Sequence, residues 1–597
     1  MSKYLLALSL GPVQEFIAAA RRTRDLWFGS YMLSEVSKAA AKFLRDNDAT
    51  LIFPAPGDDS LLAPDSELLV ANHILAEVLE NVDPATLAKG ARNAAEMRWL
   101  EFADAARKAA GESAIRQDIW DEQIRDVLEF YAAWASLNPG AGNNGNGVQE
   151  DEYQKVRERL ETILAGRKAL RDFRQARGRA GIPKSSLDGA RESVLSDAVR
   201  NSPDLRRRIK VKRQEHLDSV GLVKRCADLP KGGLDTEFVS VVRVAADPWI
   251  RRKLAMPEGR RNLEEIGRLC HQDFAPRVKA DVYRDFPFDG TPLYLSRLAV
   301  LKKDEDLEPH RAALTKIEDI LLKRFGRDDQ PSPYFAVLKA DGDRMGATLS
   351  GMQSQEAHRN FSRQLSEFAR DARRIIEDHR GCLVYSGGDD VLAFIPVDLC
   401  LDAARELHDD FGQKMKAATS QYGSDHAPTL SVGIAIGHCF EPLEDLLRAA
   451  REAEHAAKAG TKHDKSDERD GLAVHFSTRG ADAIRVRDRW DNELDRRLGR
   501  WLDLLLSNRL SDRAVYDFYD LARDYDGWSA DSIGELLQKE VERVLRRKRA
   551  GGSPLAEDVI ELLCKDIKEP NDLERTAREL LVARHMSRVF GKGGESR

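Results

Sequence analysis

The segment 334–459 constrains the fold of this chain most strongly, because its hydrophobic pattern changes period in a fixed order. Short apolar runs of strand length alternate there with longer stretches that have the apolar spacing of an amphipathic helix. The apolar runs are 334–340, 382–385, 391–396 and 429–436, and the helical stretches are 354–379, 399–418 and 442–459. The first six of these elements follow the order β-α-β-β-α-β, which predicts a ferredoxin-like domain of the palm type.

Two acidic turns fall at strand ends of this domain. A D-G-D turn begins at Asp341, where the first strand ends, and a G-G-D-D turn closes the predicted hairpin with Asp389 and Asp390. In the palm order the first strand lies next to that hairpin, so these three carboxylates should converge. They would repel one another unless divalent cations lay between them. The pattern predicts a two-metal site for Mg²⁺ or Mn²⁺, with Asp341, Asp389 and Asp390 as metal ligands and catalytic residues of nucleotidyl transfer.

Residues around the carboxylates are predicted to contact the nucleotide. Gly387 and Gly388 would allow a tight turn, and with Gly342 they leave the backbone free of side chains where a triphosphate approaches. Lys458, on the last predicted helix, is placed to meet phosphate. Each acidic motif alone is compatible with an ordinary turn, and a solvated lysine is the alternative for Lys458. The combination of motifs favours the nucleotide site.

The start of the chain repeats this pattern weakly. An apolar run at 4–10 ends at Gly11, and a long helix is predicted over 13–45. When the segments that begin with the apolar runs 4–10 and 334–340 are aligned, Gly11 in the first occupies the position of Asp341 in the second. The later pair Asp58-Asp59 is interpreted as a solvated turn. The first palm-like domain is therefore predicted to be non-catalytic.

The rest of the sequence is interpreted mainly as helix. Helical periodicity is predicted over 73–135, over 150–330 and from 484 to the end, with strands at 51–56 and 238–244 and a flexible Gly/Asn-rich loop at 138–147. The predicted fold class is α+β, with two ferredoxin-like palm domains, a helical module between them and a C-terminal helical bundle. The predicted domain boundaries are 1–165, 166–325, 326–482 and 483–597.

Charge and cysteine content exclude several classes of protein. The chain has 94 Lys+Arg against 100 Asp+Glu and a net charge of −6, so any contact with nucleic acid should be local. No apolar run is long enough to cross a membrane, and the six cysteines form no C-x-x-C pair. These features predict a cytoplasmic protein without a disulfide framework.

The densest basic run is a candidate for RNA contact. Its members are Arg206, Arg207, Arg208, Lys210, Lys212 and Arg213. A cluster of this charge density suits RNA phosphates. A solvated helix face is the alternative.

The motifs together point to one family. The G-G-D-D turn with its upstream D-G-D-R-M-G, followed by 431–438 and 450–459, resembles the polymerase/cyclase-like large subunit of type III-B CRISPR effector complexes, the Cmr type. The segments 11–17 and 21–30 resemble that family's first palm-like domain, so the likeness spans nearly the whole chain. The resemblance implies that target-RNA binding switches on synthesis of cyclic oligoadenylates from ATP. It also implies other effector subunits, a CRISPR guide RNA and a target RNA as partners.

Two departures from the family pattern modify these expectations. Many members begin with an HD nuclease domain, whereas this sequence starts at the first palm, so we expect no DNA cleavage by this subunit. Where relatives have zinc-binding thiolates, this chain has Ser185, Asp188, Asp218 and Gly221. Serine is a poor zinc ligand and glycine has no side chain, so we expect no zinc in this segment.

Two other functions are compatible with the motifs. The chain would be mainly a scaffold if its nucleotide binding were vestigial, although a purely structural site has no use for a repulsive carboxylate cluster. A stand-alone diguanylate-type cyclase acting on GTP shares the palm and the G-G-D motif. The duplicated palm and the long helical modules weigh against this second alternative.

Overall fold

The computed structural model describes residues 3–137, 150–170, 178–227, 239–278, 280–420, 427–460, 468–480, 482–528 and 530–590. The predicted flexible loop at 138–147 lies outside these ranges. None of the described helices combines the length and the apolar character needed to cross a membrane.

The N-terminal region forms a four-stranded antiparallel sheet with helices packed against it. Its elements are β1 (Lys3–Gly11), α1 (Gln14–Ala18), α2 (Thr23–Asp46), β2 (Thr50–Phe53), β3 (His73–Leu79), α3 (Pro84–Ala110), α4 (Gln117–Ile124), β4 (Glu129–Ser136) and α5 (Glu150–Ala169). The strands lie in the order β2-β3-β1-β4. The helix predicted over 13–45 is therefore divided into α1 and α2.

The prediction of continuous helix over 73–135 is wrong at both ends, where β3 and β4 flank α3 and α4. β3 and β4 both pair with β1, one on each side. The segment between the two strands is Ala-rich and favours helix, whereas β3 contains Ile74 and Val78 and β4 contains three aromatic residues, which suit strands. The helical interpretation extended a local pattern into strands whose pairing partners are distant in sequence.

The helical module follows, and the strand predicted at 238–244 is a helix from Val241 onward. Its helices are α6 (Asp197–Asn201), α7 (Pro203–Ile209), α8 (Ser219–Cys226), α9 (Val241–Leu254), α10 (Pro257–Leu269), α11 (Leu295–Leu301) and α12 (Arg311–Ile320). The Ser240 side chain caps α9 by accepting a 3.1 Å hydrogen bond from the Arg243 amide. Arg243 also pairs with Asp247 at 2.9 Å one turn later. These local contacts stabilise a helix although the segment is rich in β-branched residues.

The second palm contains a six-stranded sheet in the order β10-β9-β8-β5-β7-β6. Its elements are β5 (Tyr334–Gly342), α13 (Met345–Gly351), α14 (Gln355–Asp378), β6 (Cys382–Ser386), β7 (Val391–Ile395), α15 (Cys400–Thr419), β8 (Leu430–His438), α16 (Leu443–Lys458), β9 (Gly471–Phe476) and β10 (Ile484–Arg489). The predicted β-α-β-β-α-β order is confirmed. The two additional strands follow α16, and β9 runs parallel to β8.

The C-terminal region is mainly helical, as predicted, but it begins later than residue 484. β10 pairs with β9 along its whole length, and its Arg-rich sequence hides the alternation that buries Val486. The elements that follow are α17 (Leu494–Leu506), α18 (Asp512–Asp524), α19 (Ala530–Arg546), β11 (Arg549–Ala550), β12 (Ser553–Pro554), α20 (Glu557–Cys564) and α21 (Pro570–Phe590).

The two palms share one apolar core. On one face of β5, Phe335 and Val337 belong to a cluster that also includes residues of α2, α3 and α8. On the other face, Ala336 and Leu338 pack with α14, α15 and the C-terminal helices. The second sheet is therefore buried on both sides, with the first palm and the helical module on one of them.

The strand orders of the two palms coincide, because β2-β3-β1-β4 corresponds to β6-β7-β5-β8. The third strand of each palm pairs with the first strand, and its first residue lies opposite Ser9 in the first sheet (β3) and opposite Ala340 in the second (β7). This register places Leu10, and not Gly11, at the position of Asp341. The sequence alignment was wrong by one residue, and the shift matters because neighbouring strand residues face opposite sides.

Candidate active site

The candidate active site lies where the β6–β7 turn meets the end of β5. β5 lies between β7 and β8, and Ala340 pairs with Val391, the first residue after the turn. The Gly387 amide donates a 2.9 Å hydrogen bond to the Asp390 carbonyl, which closes the turn. Gly388 has a φ of +96°, a left-handed conformation that favours glycine. Strand pairing thus fixes the turn beside the end of β5.

Two glycines allow the close approach of these segments. A Cβ atom at Gly342 would lie 2.8 Å from Asp389 Cβ and from Met345 Cγ, which is closer than such atoms pack. A Cβ atom at Gly387 would lie 1.6 Å from the Tyr385 hydroxyl oxygen. Both glycines are required by contacts within the protein itself, which the sequence analysis did not foresee.

Two lysines neutralise two of the three carboxylates. Lys458, at the end of α16, forms ion pairs with Asp341 and, at 2.7 Å, with Glu454. Lys339 Nζ lies 2.8 Å from Asp390 Oδ1. The structure therefore brings Lys458 to the site where the sequence analysis expected it. Lys339 was missed, because its position depends on the register of β5 against β7.

Asp389 is the carboxylate without a cationic partner. Among the described residues, no lysine, arginine or histidine nitrogen lies within 4.0 Å of its carboxylate oxygens. Burial, together with the charges of Asp341 and Asp390, raises the pKa of Asp389 to about 7. Burial also raises the pKa of Asp390, and Lys339 opposes this effect. Negative charge is therefore unfavourable here, and a bound cation would relieve it.

The donor set fits a hard divalent cation, since Mg²⁺ and Mn²⁺ prefer carboxylate oxygens. The three aspartates meet at this sheet edge, but their carboxylate oxygens do not all lie within 4.8 Å of one another, and two of the aspartates are paired with lysines. Within the described ranges, the group of three His, Cys, Asp or Glu side chains whose ligand atoms all lie within 4.8 Å of one another is a different one, His271, Asp273 and His310. Metal binding by the aspartates would exchange lysine contacts for metal contacts.

Asp343, the second aspartate of the D-G-D turn, is buried and anchors the turn. Its carboxylate accepts hydrogen bonds of 2.8 Å from the Thr429 and Ser431 hydroxyls and of 3.0 Å from the Asp470 amide. Its own amide donates to the Thr429 carbonyl at 2.7 Å. Burial raises the pKa of this carboxyl. Asp343 therefore holds the end of β5 against β8 and β9, a structural role that the sequence analysis did not predict.

A cavity of about 680 Å³ opens beside Asp343. It lies between α13, the end of α15 and the start of β8. Four cationic side chains line it, namely Arg344, Lys416, Arg469 and Arg489. Neither Asp389, Asp390 nor Lys458 is among its lining residues, so the cavity borders the D-G-D turn on the side away from the hairpin.

The basic run in the helical module is used largely within the chain. Arg206, proposed above as an RNA contact, is buried and donates 2.7 Å to the Arg200 carbonyl, so it is not available on the surface. Arg207 pairs with Asp204 at 2.6 Å, and Arg208 donates to two carbonyls at the end of α3. The remaining members of the run, Lys210, Lys212 and Arg213, are exposed.

The four positions that replace the family's thiolates form turns and a helix cap. Asp218 is buried and caps α8 by accepting a 2.7 Å hydrogen bond from the Gly221 amide. Ser185 and Asp188 accept from backbone amides two residues ahead, at 3.3 Å and 2.9 Å. A Cβ atom at Gly221 would lie 2.7 Å from Leu187 Cδ1, so packed side chains fill this place. These residues do not fit a zinc ion.

Comparison with known proteins supports the two-palm description. Residues 5–112 match the family described as CRISPR-associated protein Cmr2, N-terminal, and residues 334–467 match Cas10/Cmr2, second palm domain. The CRISPR system Cmr subunit Cmr2 of Pyrococcus furiosus is 24% identical over 664 residues, which cover 96% of this chain and 73% of that protein.

Two solved structures show the same fold. The apo state of type III-B Cmr-beta has a TM-score of 0.64 at 13% identity and covers 98% of this chain and 82% of that one. Type III-B Cmr-beta bound to cognate target RNA has a TM-score of 0.63 at 13% identity, with 98% and 83% covered. Residues 334–467, which include the paired aspartates, thus form a palm domain of the Cas10/Cmr2 type, and the first palm has the same strand order. These matches confirm the resemblance to the Cmr2 family that the sequence indicates.

Proposed function

We propose that this chain is the large subunit of a type III-B RNA-guided complex and that it converts ATP to cyclic oligoadenylate when the complex binds target RNA. The observation that carries the proposal is the meeting of Asp341, Asp389 and Asp390 at one sheet edge. In the proposed reaction the 3′-hydroxyl of one ATP attacks the α-phosphate of another, and pyrophosphate leaves. Bound Mg²⁺ or Mn²⁺ would supply stabilisation of the charge that develops on the phosphates.

The chain's own residues would bind and orient the nucleotide. Lys458 and Lys339 are already at the carboxylates, and a metal that took over those carboxylates would leave both ammonium groups available to phosphate oxygens. Gly388, with its left-handed backbone, leaves the tip of the turn free of a side chain. The cavity beside Asp343 has four cationic and three acidic lining side chains, so it offers an anionic ligand only a small excess of positive charge at the same end of the sheet.

The proposed partners follow from the relatives. One is named as a Cmr subunit, and a solved structure of the same fold is bound to cognate target RNA. We therefore propose other Cmr subunits, a guide RNA and a target RNA as partners of this chain. Five members of the basic run are exposed, and of these Lys210, Lys212 and Arg213, which are not in the contacts described above, are the part that suits RNA phosphate.

A scaffolding role is the second candidate, and one observation favours it. Lys339 and Lys458 already neutralise two of the aspartates without a metal, so the site is compatible with a purely structural function. The raised pKa of Asp389 argues for the enzyme, because ion pairing leaves that carboxylate uncompensated.

The test is product analysis on the assembled complex. Complexes containing the wild-type chain or the Asp389→Asn, Asp390→Asn variant are incubated with Mg²⁺ and ATP, with and without target RNA, and products are identified by mass spectrometry. We expect cyclic oligoadenylate from the wild type with target RNA and none from the variant, with equal assembly of both. A wild-type complex that binds RNA but yields no product would establish the scaffold, and product from GTP instead of ATP would indicate the diguanylate-type activity.

A further inference from the structure

A group of two histidines and an aspartate in the helical module has no part in the palm chemistry. His271 and Asp273 lie in the turn that follows α10, and His310 directly precedes α12. Their ligand atoms all lie within 4.8 Å of one another. Two imidazoles and one carboxylate are the ligand types that bind zinc and neighbouring transition metals.

The distances in this group match those between the ligands of a small metal ion. His271 Nδ1 lies 3.3 Å and His310 Nε2 lies 3.0 Å from the same Asp273 oxygen, Oδ2. In a tetrahedral zinc site with bonds of about 2.0–2.1 Å, neighbouring ligand atoms are about 3.3 Å apart. The two contacts therefore already have the spacing of ligands that share one ion.

His271 Nδ1 lies close to two groups of Asp273. The Asp273 amide donates to this nitrogen at 3.3 Å, and the nitrogen also lies 3.3 Å from Asp273 Oδ2. Coordination of an ion by His271 Nδ1 would replace the amide hydrogen bond and would make the imidazole and the carboxylate ligands of one cation.

The backbone holds the group in place. The His271 carbonyl accepts hydrogen bonds from the amides of Phe274 and Ala275, at 3.2 Å and 2.8 Å. Both of those residues are buried in the core of the module, and the Phe274 ring lies 5.7 Å from the His310 ring. The two histidine rings stack with centroids 4.3 Å apart. The side chains of the group should therefore lose little conformational entropy when they bind an ion.

Partial exposure leaves room for a further ligand. The His271 side chain is 46% exposed, while those of Asp273 and His310 are 25% and 21% exposed. The apolar floor lies on the side of Phe274, and solvent lies on the side of His271. A water molecule is therefore able to complete a four-coordinate site.

We propose that His271, Asp273 and His310 bind one divalent transition-metal ion of the zinc class, with the fourth position open to water. Bound there, the ion joins the end of α10 to the start of α12. It would stabilise the same module in which the positions of the family's thiolates have become turns and a cap. The site is chemically distinct from the palm aspartates, whose oxygen-only donors suit Mg²⁺.

The test is metal binding by the full chain. The wild type and the variants Asp273→Asn, His271→Gln and His310→Gln are stripped with a chelator and titrated with Zn²⁺ against a chromophoric competitor. Co²⁺ is titrated in parallel, because its visible absorption reports nitrogen and oxygen ligands in tetrahedral geometry. His216→Gln is the matched control, since His216 belongs to the same module but not to the group. The palm aspartates are unchanged in all five proteins.

We expect the wild type and His216→Gln to bind one equivalent of Zn²⁺ that Mg²⁺ does not displace. Asp273→Asn and His310→Gln should weaken that binding by about 100-fold or more, and the Co²⁺ absorption should disappear. Circular dichroism checks that each variant is folded. If Asp273→Asn or His310→Gln is not, the Zn²⁺ affinity of His271→Gln, which replaces the most exposed side chain of the group, still tests the proposal. Equal Zn²⁺ affinity in the wild type and the three variants, or no Zn²⁺ binding by the wild type at micromolar free metal, would overturn the proposal.

Discussion

The two palm domains share a strand order but differ at the place where chemistry is expected. In the second palm, Lys339 and Asp341 project from the central strand on the same side as Phe335 and Val337. The corresponding residues of the first palm are Leu8 and Leu10, both buried in that same cluster. One domain thus uses these strand positions for charge and the other for packing.

The two palms also differ in the connection between their second and third strands. In the second palm four residues, 387–390, join β6 to β7 and carry both aspartates. In the first palm the connection from β2 to β3 runs from 54 to 72, and its pair Asp58-Asp59 is exposed, with Asp59 bound to Arg45 at 3.0 Å. A tight turn holds carboxylates beside the central strand, whereas a long connection carries them away from it. The two palms therefore differ in the length of the connection between their second and third strands, and not in whether that connection contains acidic residues.

The largest expected effect comes from replacing Asp341 of the second palm by leucine, the residue at the equivalent position of the first palm. Asp341→Leu should lower cyclic oligoadenylate formation by about 1,000-fold or more, because a metal ligand is lost. Leu10→Met, at the equivalent position of the first palm, is the control and should leave the rate unchanged. Product formation by the assembled complex is the measurement. Equal loss in both variants would show that the palms contribute symmetrically.

The next effect tests the packing role of the first palm. Leu8→Ala should lower the free energy of unfolding by about 2–4 kcal/mol, since a fully buried leucine leaves a cavity. Lys339→Ala, at the equivalent position of the second palm, removes a partly exposed side chain and should cost less than about 1 kcal/mol. Urea midpoints followed by circular dichroism compare the two. A larger cost for Lys339→Ala would contradict the division of roles.

The raised pKa of Asp389 predicts a pH-dependent difference in stability. Its pKa is about 7 in the folded chain, and an unfolded aspartate has a pKa of about 3.9. The folded state binds this proton more tightly, so the stabilising contribution is present below about pH 4 and is lost as the pH rises through about 7. Asp389→Asn should therefore be more stable than the metal-free wild type at about pH 8, by up to about 4 kcal/mol, and equal to it near pH 4.

Thermal melts in chelator across that range would measure this difference. Asp58→Asn is the control, because hydrogen bonds from Ser60 lower the pKa of the exposed Asp58, so this variant should not gain stability over the wild type as the pH rises. A constant difference between Asp389→Asn and the wild type at all pH values would contradict the raised pKa.

The smallest effect concerns the lysine that competes with metal. Lys339→Gln removes the ion pair with Asp390 and should lower the Mg²⁺ concentration that gives half-maximal activity by about 3-fold, since such partly exposed pairs contribute about 0–1 kcal/mol. The measurement is a Mg²⁺ titration of product formation. An increased requirement for Mg²⁺ would mean that Lys339 supports the metal site.

The sequence predicted the second palm well because each of its elements carries a local signal. Apart from the short helix α13, which was not predicted, the strands and helices from β5 to α16 begin and end within about two residues of their predicted positions, and glycines mark the hairpin. The convergence of Asp341 with Asp389 followed from strand order alone. The likeness to the Cmr2 family was also accessible, since it depends on short motifs at fixed places.

The missed features depend on contacts between distant segments. β3 and β4 flank a long Ala-rich helix in the sequence, and their strand identity depends on pairing with β1, and for β3 also with β2. Lys339 and Asp343 acquire their roles from strand register and from β8 and β9, which no local pattern encodes. The group formed by His271, Asp273 and His310 joins residues on either side of a long connection. The domain boundaries and the catalytic assignments stay predictions.

The shared core has a mechanical consequence. Cys382 and Val384 of β6 are buried in the cluster that includes the first-palm helices, and β6 packs against α2, so moving the palms apart would expose these side chains to water. Because close-packed interiors resist gradual deformation, the two palms should move as one body. A conformational change that reaches the aspartates should therefore consist of small displacements of turns and side chains, and not of an opening or closing movement between the two palms.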